Sequence, residues 1–283
     1  MTSGNTQQIA EWNGSMGRQW AALQSDLDKV VAPFGAAALR AAAARAGERV
    51  IDIGCGCGDT TMELARIVGA QGAVLGVDVS QPMLEVARAR AQRVGHRHIA
   101  FLEADASQSE LPAGQDLLYS RFGVMFFEHP DAAFVHMRKS LRPGGRLAFV
   151  CWRAPRDNPW AMAPLMAARK AMGVTPAPAD PDAPGPFAFA DEQRVRAILS
   201  GVGFSDIGME RFDATISLGA SPRAAAERAV SFGPAARFVK EAGIQHLDTI
   251  RDAIENSLAA LATPDGSVCL AGSTWVVTAS SAG

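Results

Sequence analysis

Val50-Ile-Asp-Ile-Gly-Cys-Gly-Cys-Gly-Asp59 is the stretch on which the fold of this chain turns. Arg49-Val-Ile-Asp-Ile-Gly54 reads as a short buried strand running into the glycines at 54, 56 and 58. Glycine has no Cβ, so a GxGxG at a strand-to-helix turn lets a cofactor lie against the backbone. Alone, the pattern marks a dinucleotide site equally well. Two acids sharpen it. Asp78 ends the next strand, Ala73-Val-Leu-Gly-Val-Asp78, where a carboxylate can accept both hydroxyls of a ribose. Asp105 follows a third strand in Phe101-Leu-Glu-Ala-Asp-Ala106. From there it can accept from an adenine amino group, with apolar Ala106 against the ring.

Outward from the glycine turn the chain alternates between strand and helix. Thr60-Thr-Met-Glu63 reads as a capping box, opening a helix with Leu64, Ala65 and Val68 on its inner face. Ser80 is placed to cap the following helix, with Pro82 in its first turn and Met83, Leu84, Ala87 and Ala91 as its stripe. Further strands are predicted at 98–102, 116–120 and 146–152. A helix opened by Pro130 should turn Ala133, Phe134, Met137 and Leu141 inward. This alternation implies crossover connections, hence an α/β fold with a mostly parallel sheet and helices on both faces.

Around this core, residues 1–46 form a helical lead-in or lid, predicted as two helices over 6–23 and 27–46, the second stopped by Gly47. The cofactor-binding core is assigned to 47–154. Residues 155–188, rich in proline around a helical piece at 162–172, read as a cap insertion. Residues 189–283 complete the sheet, with strand-like material at 204–218 and 267–279 and a helical insertion at 222–262.

Of 283 residues, 48% are hydrophobic and 20% charged, enough apolar material for a sizeable core. The net charge of -2 gives no general attraction for nucleic acid. No apolar run approaches a membrane span, and residues 1–20 lack the basic start and apolar middle of a secretory signal. The four cysteines supply no zinc framework. The expectation is a cytoplasmic protein without a metal, acting on a small-molecule acceptor, with no nucleic acid and no membrane span; a homodimer is left open.

The residues 50–58, Gly76-Val-Asp-Val-Ser80, Glu103-Ala-Asp105 and Leu141-Arg-Pro-Gly-Gly-Arg-Leu147 together resemble the class I S-adenosylmethionine-dependent methyltransferases. The branch that includes the ubiquinone- and menaquinone-biosynthesis enzymes is the most similar, and the resemblance covers roughly 45–152. It implies a Rossmann-like, seven-stranded sheet in the order 3-2-1-4-5-7-6 with an antiparallel seventh strand. It implies S-adenosyl-L-methionine as cofactor, with Asp52 and the loop of Gly54, Cys55, Gly56 and Gly58 at its methionine end. Asp78 would hold the ribose, Val79 and Met83 would flank the adenine, and Asp105 and Ala106 would read its edge. Ser120 and Arg121 would lie beside the sulfonium and the acceptor. Asp59 argues against a nicotinamide cofactor, since a carboxylate at that helix start repels a pyrophosphate.

Catalytic candidates are few. His129, in Phe126-Phe-Glu-His-Pro130, sits at the carboxyl end of the sheet and reads either as a general base or as a helix-start residue. Arg121 suits a substrate anion or an ion pair with a nearby acid. Trp12 and Trp20 share a helix face, as part of a lid or of a docking surface. Trp20, Trp160, Phe187 and Phe232 are the aromatic candidates for the substrate side, favouring a planar or lipophilic acceptor. The expected function is methyl transfer to oxygen, nitrogen or carbon of such a molecule. The alternative is a cofactor-binding protein without transfer, acting as a regulatory or assembly partner.

Overall fold

The strands are β1 (Arg49–Ile53), β2 (Ala73–Asp78), β3 (Ile99–Glu103), β4 (Gln115–Arg121), β5 (Leu141–Trp152), β6 (Phe204–Gly219) and β7 (Val268–Ser281). This computed structural model describes residues 4–175, 180 and 183–281. The strands form one sheet in the order β3-β2-β1-β4-β5-β7-β6, the order that the resemblance implied. β1 pairs in parallel with β2 and β4, β2 with β3, and β4 with β5. The last pair runs opposed: Gly208 lies against Thr278, while Thr274 Oγ1 donates to Phe212 O. Central β1 is covered on both faces, and Val50, Ile51 and Asp52 are wholly buried, as a parallel strand between helical layers requires.

Eleven helices are described, α1 (Gly4–Asn13), α2 (Ser15–Ala22), α3 (Gln24–Ala42), α4 (Asp59–Val68), α5 (Gln81–Val94), α6 (Pro130–Arg138), α7 (Pro159–Ala171), α8 (Glu192–Gly201), α9 (Pro222–Ala229), α10 (Pro234–Ala242) and α11 (Leu247–Ala259). The lead-in is three helices rather than two. The chain breaks at Gly14, where a Cβ would come within 2.9 Å of Ala10 O. α3 stops at Ala43, in the left-handed region at φ 47, four residues before the glycine expected to end it. Arg146 on β5 supplies the reason. Its guanidinium donates to Ala42 O and Ala43 O and pairs with Glu48, satisfying carbonyls that a C-terminal glycine motif would otherwise serve. Leu141, expected on the α6 face, instead begins β5 and remains buried. α8 adds a helix that the sequence reading does not place: Asp191 caps it by accepting from Gln193 N, and Val195, Ile198 and Leu199 are buried.

The chain divides into two compact units. The first comprises Met1–Cys151, Pro184–Phe212 and Thr274–Gly283; the second comprises Trp152–Ala183 and Asp213–Ser273. Beside the sheet of the first unit, Phe134, Phe149, Phe189 and Phe204 pack at ring separations of 5.9–6.5 Å. The second unit is held by α7 against α9, α10 and α11. Its polar anchor is Asn158, whose amide donates to Arg153 O, Ala154 O and Ser273 O while its oxygen accepts from Ser273 N and Trp160 Nε1. No helix among the described residues is long and apolar enough to cross a membrane.

Candidate cofactor and active site

The glycine turn needs its glycines for two reasons. Gly54, Gly56 and Gly58 adopt φ of 67°, 54° and 80°, where a side chain is strained. The space is also taken: a Cβ on Gly54 would lie 2.8 Å from Gly123 Cα, and one on Gly56 2.8 Å from Met83 Cε. Gly54 N and Cys55 N both donate to Val77 O, which ties the turn to the end of β2. On the other side, Ser120 Oγ donates to Ile53 O and accepts from Gly123 N, drawing the chain after β4 against Gly54. Phe122, just before, pays for that approach with a φ of 63°.

Asp52 lies wholly buried at the end of β1. Its Oδ2 accepts from Thr60 Oγ1 and Thr61 Oγ1, each at 2.7 Å, while Oδ1 has no hydrogen-bond partner among the described residues. Here the capping-box reading fails. α4 starts at Asp59 after Gly58, and the Thr60 hydroxyl that should have capped it serves Asp52 instead. Burial pushes the Asp52 carboxyl up to about 6, against the opposing bonds from Thr61 and Thr60 and the charge of Arg121. A carboxyl whose native pKa is raised binds more protons folded than unfolded, so stability falls as pH rises from about 4 to 6. Above that window the charge is a standing cost. Asp52→Asn is therefore expected to stabilise the ligand-free protein at pH 8 by about 1 kcal/mol, read as a higher Tm. An unchanged or lower Tm would contradict the cost assigned to this charge.

Asp78, half-buried at the end of β2, sits beside the same turn. Its Oδ2 accepts from Gly56 N at 2.8 Å and Oδ1 from Ser80 N at 2.9 Å. Burial raises its pKa, and backbone bonds from Ser80, Gly56 and Val79 oppose the rise. An ionised carboxylate accepts about four hydrogen bonds, so Asp78 keeps acceptor capacity beyond these backbone donors for a ligand hydroxyl. Asp105 lies one strand further on, where Asp78 pairs with Glu103 and Ala104 N donates to Asp78 O. Its carboxylate accepts from Ser107 N, Ser107 Oγ and Gln108 Nε2, closing the turn that buries Ala106.

The lead-in helices grip this end of β2. Asn13 Nδ2 donates to Val79 O, Asn13 Oδ1 accepts from Gln81 N, and Ser80 Oγ donates to Trp12 O. Thus Ser80 holds the N-cap position predicted for it, while Asn13 provides the side-chain cap. The Trp12 ring meets Trp20 and also Phe126, which follows β4, each at 5.7 Å edge to face. Trp12 thus contacts the segments that follow β2 and β4, the two strands that flank β1.

Arg121 resolves into an ion-pair ring. It donates to Asp59 Oδ2 at 2.9 Å and Asp28 Oδ1 at 3.3 Å, and Arg90 donates to Asp28 Oδ2 and Asp59 Oδ1. Arg90 also donates to Cys57 O, so the ring fixes the backbone of the glycine turn. Asp59 is thereby neutralised, and the argument that its charge would repel a pyrophosphate does not hold. Among the described residues, Asp52 and Asp78 face the turn without an ion pair.

The remaining candidates are placed as follows. His129 is an exposed residue at the N-cap of α6, and its ring makes no hydrogen bond or ion pair among the described residues. Phe187 is half-buried in the first unit, whereas Trp160 and Phe232 stack at 5.6 Å within the second. Those two line a small apolar hollow with Pro164, Leu218 and Arg228. Burial pushes the Cys57 thiol up to about 12 and also raises Cys55 well above the usual thiol value, so neither is a nucleophile. No group of three or more His, Cys, Asp or Glu among the described residues could hold a metal. The roles of Thr60, Thr61, Asn13, Asp28 and Arg90 are not legible in the sequence because their partners lie on other elements; of these only the threonine pair carries a local signal, and it points to a cap.

Residues 50–145 match the family model described as a methyltransferase domain. Aklanonic acid methyltransferase DauC of Streptomyces sp. (strain C5) is 39% identical over 105 residues, 37% of this chain and 48% of that protein. Ubiquinone/menaquinone biosynthesis C-methyltransferase UbiE of Pseudomonas aeruginosa is 35% identical over 116 residues, 40% of this chain and 45% of that protein. The chain therefore spans about half the length of the curated relatives it matches. Among solved structures, the YcgJ protein of a Bacillus species is similar at a TM-score of 0.57 and 20% identity, over 87% of this chain and 96% of that one. Phosphoethanolamine N-methyltransferase 2 of Haemonchus contortus, solved in complex with S-adenosyl-L-methionine, is similar at 0.54 and 19% identity, over 88% of this chain and 52% of that one. At these identities the likeness carries the fold.

Proposed function

We propose that this chain, whose residues 50–145 match a methyltransferase domain, is a class I S-adenosylmethionine-dependent methyltransferase that transfers a methyl group from S-adenosyl-L-methionine to a small molecule. The observation that carries this reading is the charge of the glycine cradle. Two carboxylates, Asp52 and Asp78, face it without ion-pair partners, and both nearby arginines are spent on Asp28 and Asp59. Such a cradle suits a ligand bearing positive charge and repels a pyrophosphate.

The residues fit the cofactor. Asp52 Oδ1, buried and unpartnered, is an acceptor for the ammonium at the methionine end, and Asp78 has lone pairs for the ribose hydroxyls. Met83 Cε beside Gly56 and Val79 at the end of β2 give the adenine apolar neighbours, and Asp105 with Ala106 serves its edge. When bound, the cofactor supplies a methyl group on a positively charged sulfur. The chain's own work is to hold an acceptor in line with that methyl and exclude water, an orientation effect worth roughly 7–11 kcal/mol. Helices α1 and α2 act as the lid, with Trp12 lying across the strand ends and Trp20 behind it. Four free thiols support a reducing, cytoplasmic setting.

His129 serves as the helix-start residue. His129→Ala is expected to change turnover by no more than about twofold, the range of an ordinary surface substitution. A loss of turnover with unaltered cofactor affinity would instead make it the general base. The reading as a whole is tested by calorimetry with S-adenosylhomocysteine and S-adenosylmethionine, followed by a metabolite screen with a methyl-labelled donor. Labelled product is the expected result. Failure to bind either compound would remove the proposal.

A further inference from the structure

We infer that Thr60 and Thr61 are positioning residues for cofactor binding: their hydroxyls fix one oxygen of Asp52 so that the other stays turned toward the ammonium at the methionine end. This rests on the methyltransferase reading above. The geometry is specific. Two consecutive hydroxyls in the first turn of α4 converge on the same atom, Asp52 Oδ2, each at 2.7 Å. Neither hydroxyl contacts Oδ1, which is buried without a partner at the glycine turn. Two bonds on one oxygen lock the carboxylate's torsion and leave both lone pairs of the other oxygen for a ligand. A buried unsatisfied acceptor is costly, and a protein that spends two threonines without relieving it keeps that oxygen for another donor.

The same hydroxyls keep Asp52 ionised. Bonds donated to the charged form lower a carboxyl's pKa, and here they oppose burial. The other groups facing Asp52 are Asp78 from β2, Arg121 and Tyr119 from β4, and Cys55 from the glycine turn; Asp59, at the head of α4, is tied to Arg90 and Arg121. Of these only Arg121 favours the charged form, and its charge is shared with Asp28 and Asp59. Without the threonines, burial and Asp78 would push the carboxyl further up, toward neutrality.

The test is the pH profile of S-adenosylhomocysteine affinity between about pH 5 and 8.5, by calorimetry, for wild type, Thr60→Val, Thr61→Val and Thr61→Ser. Valine keeps the volume and removes the donor; serine keeps the donor. Wild type should bind uniformly above pH 7 and lose affinity about tenfold per unit below the Asp52 midpoint near 6. Each valine variant should move that midpoint up by about one unit, so that affinity is about twofold weaker than wild type at pH 7, about fivefold weaker at pH 6, and recovers at pH 8.5. Thr61→Ser should retain the wild-type profile. Valine variants whose affinity is unchanged, or reduced by the same factor at every pH, would overturn the positioning role. Wild type that binds no S-adenosylhomocysteine at any pH would remove the cofactor reading instead, so the two failures are distinct. Thermal melts check that the variants fold, and affinity regained at pH 8.5 is itself evidence of an intact site.

Discussion

Arg121→Gln is expected to destabilise the protein by about 3 kcal/mol, near the lower end of what removing one partner from a buried ion pair costs. The Arg121 side chain is 13% exposed and those of Asp28 and Asp59 are 18% and 29%. Against the penalty of burial, Asp59 and Asp28 hold the guanidinium firmly protonated. The ring alternates two arginines with two acids drawn from α3, α4, α5 and β4, so removing one cation leaves two acids sharing Arg90. At this chain length the loss corresponds to a Tm lower by roughly 6 °C. Adding Asp59→Asn should restore part of the loss, because it removes the charge left unpaired; the double-mutant cycle measures that coupling. A single variant melting within about 1 °C of wild type would show that the ring adds nothing to stability.

Asp78→Ala is expected to weaken S-adenosylhomocysteine binding by about 2 kcal/mol, roughly thirtyfold, the worth of charge-assisted hydrogen bonds to a pair of hydroxyls. The substitution also frees Gly56 N and Ser80 N, which Asp78 now holds at 2.8 and 2.9 Å. Asp78→Asn separates the two effects. The amide oxygen can keep one backbone donor, so the turn suffers less, while the negative charge is lost. A similar loss of affinity in both variants, with a smaller loss of Tm in the asparagine, identifies a ligand-binding role. Unchanged affinity in both would place the ribose elsewhere.

Much of the site could be read directly from the chain because its chemistry is local. The run from Val50 to Gly58 must be a buried strand entering a tight turn, since no other residue type tolerates those three φ values in that space. Asp78 and Asp105 follow their strands by position alone. Where local reasoning failed, a distant group had offered a better partner. Thr60 gave its hydroxyl to Asp52 rather than to its own helix, and Ser80 gave its hydroxyl to Trp12 O while Asn13 capped α5. α3 ended on an alanine because Arg146 reached across from β5 to its carbonyls. Arg121 had two open readings, substrate anion or nearby acid, and both acids it pairs with lie more than 60 residues away in the chain.

The amino-acid order alone determined the alternation of strands and helices, the glycine turn and the places of its two acids. Those features depend on hydrophobic period and on backbone freedom, which each residue carries with it. Only the folded arrangement decided which charges around the turn remain uncompensated. Asp28, Asp59, Arg90 and Arg121 cancel one another across four elements, while Asp52 keeps one bare oxygen. Electrostatic pairing depends on distance in space rather than along the chain, so no window of sequence contains it.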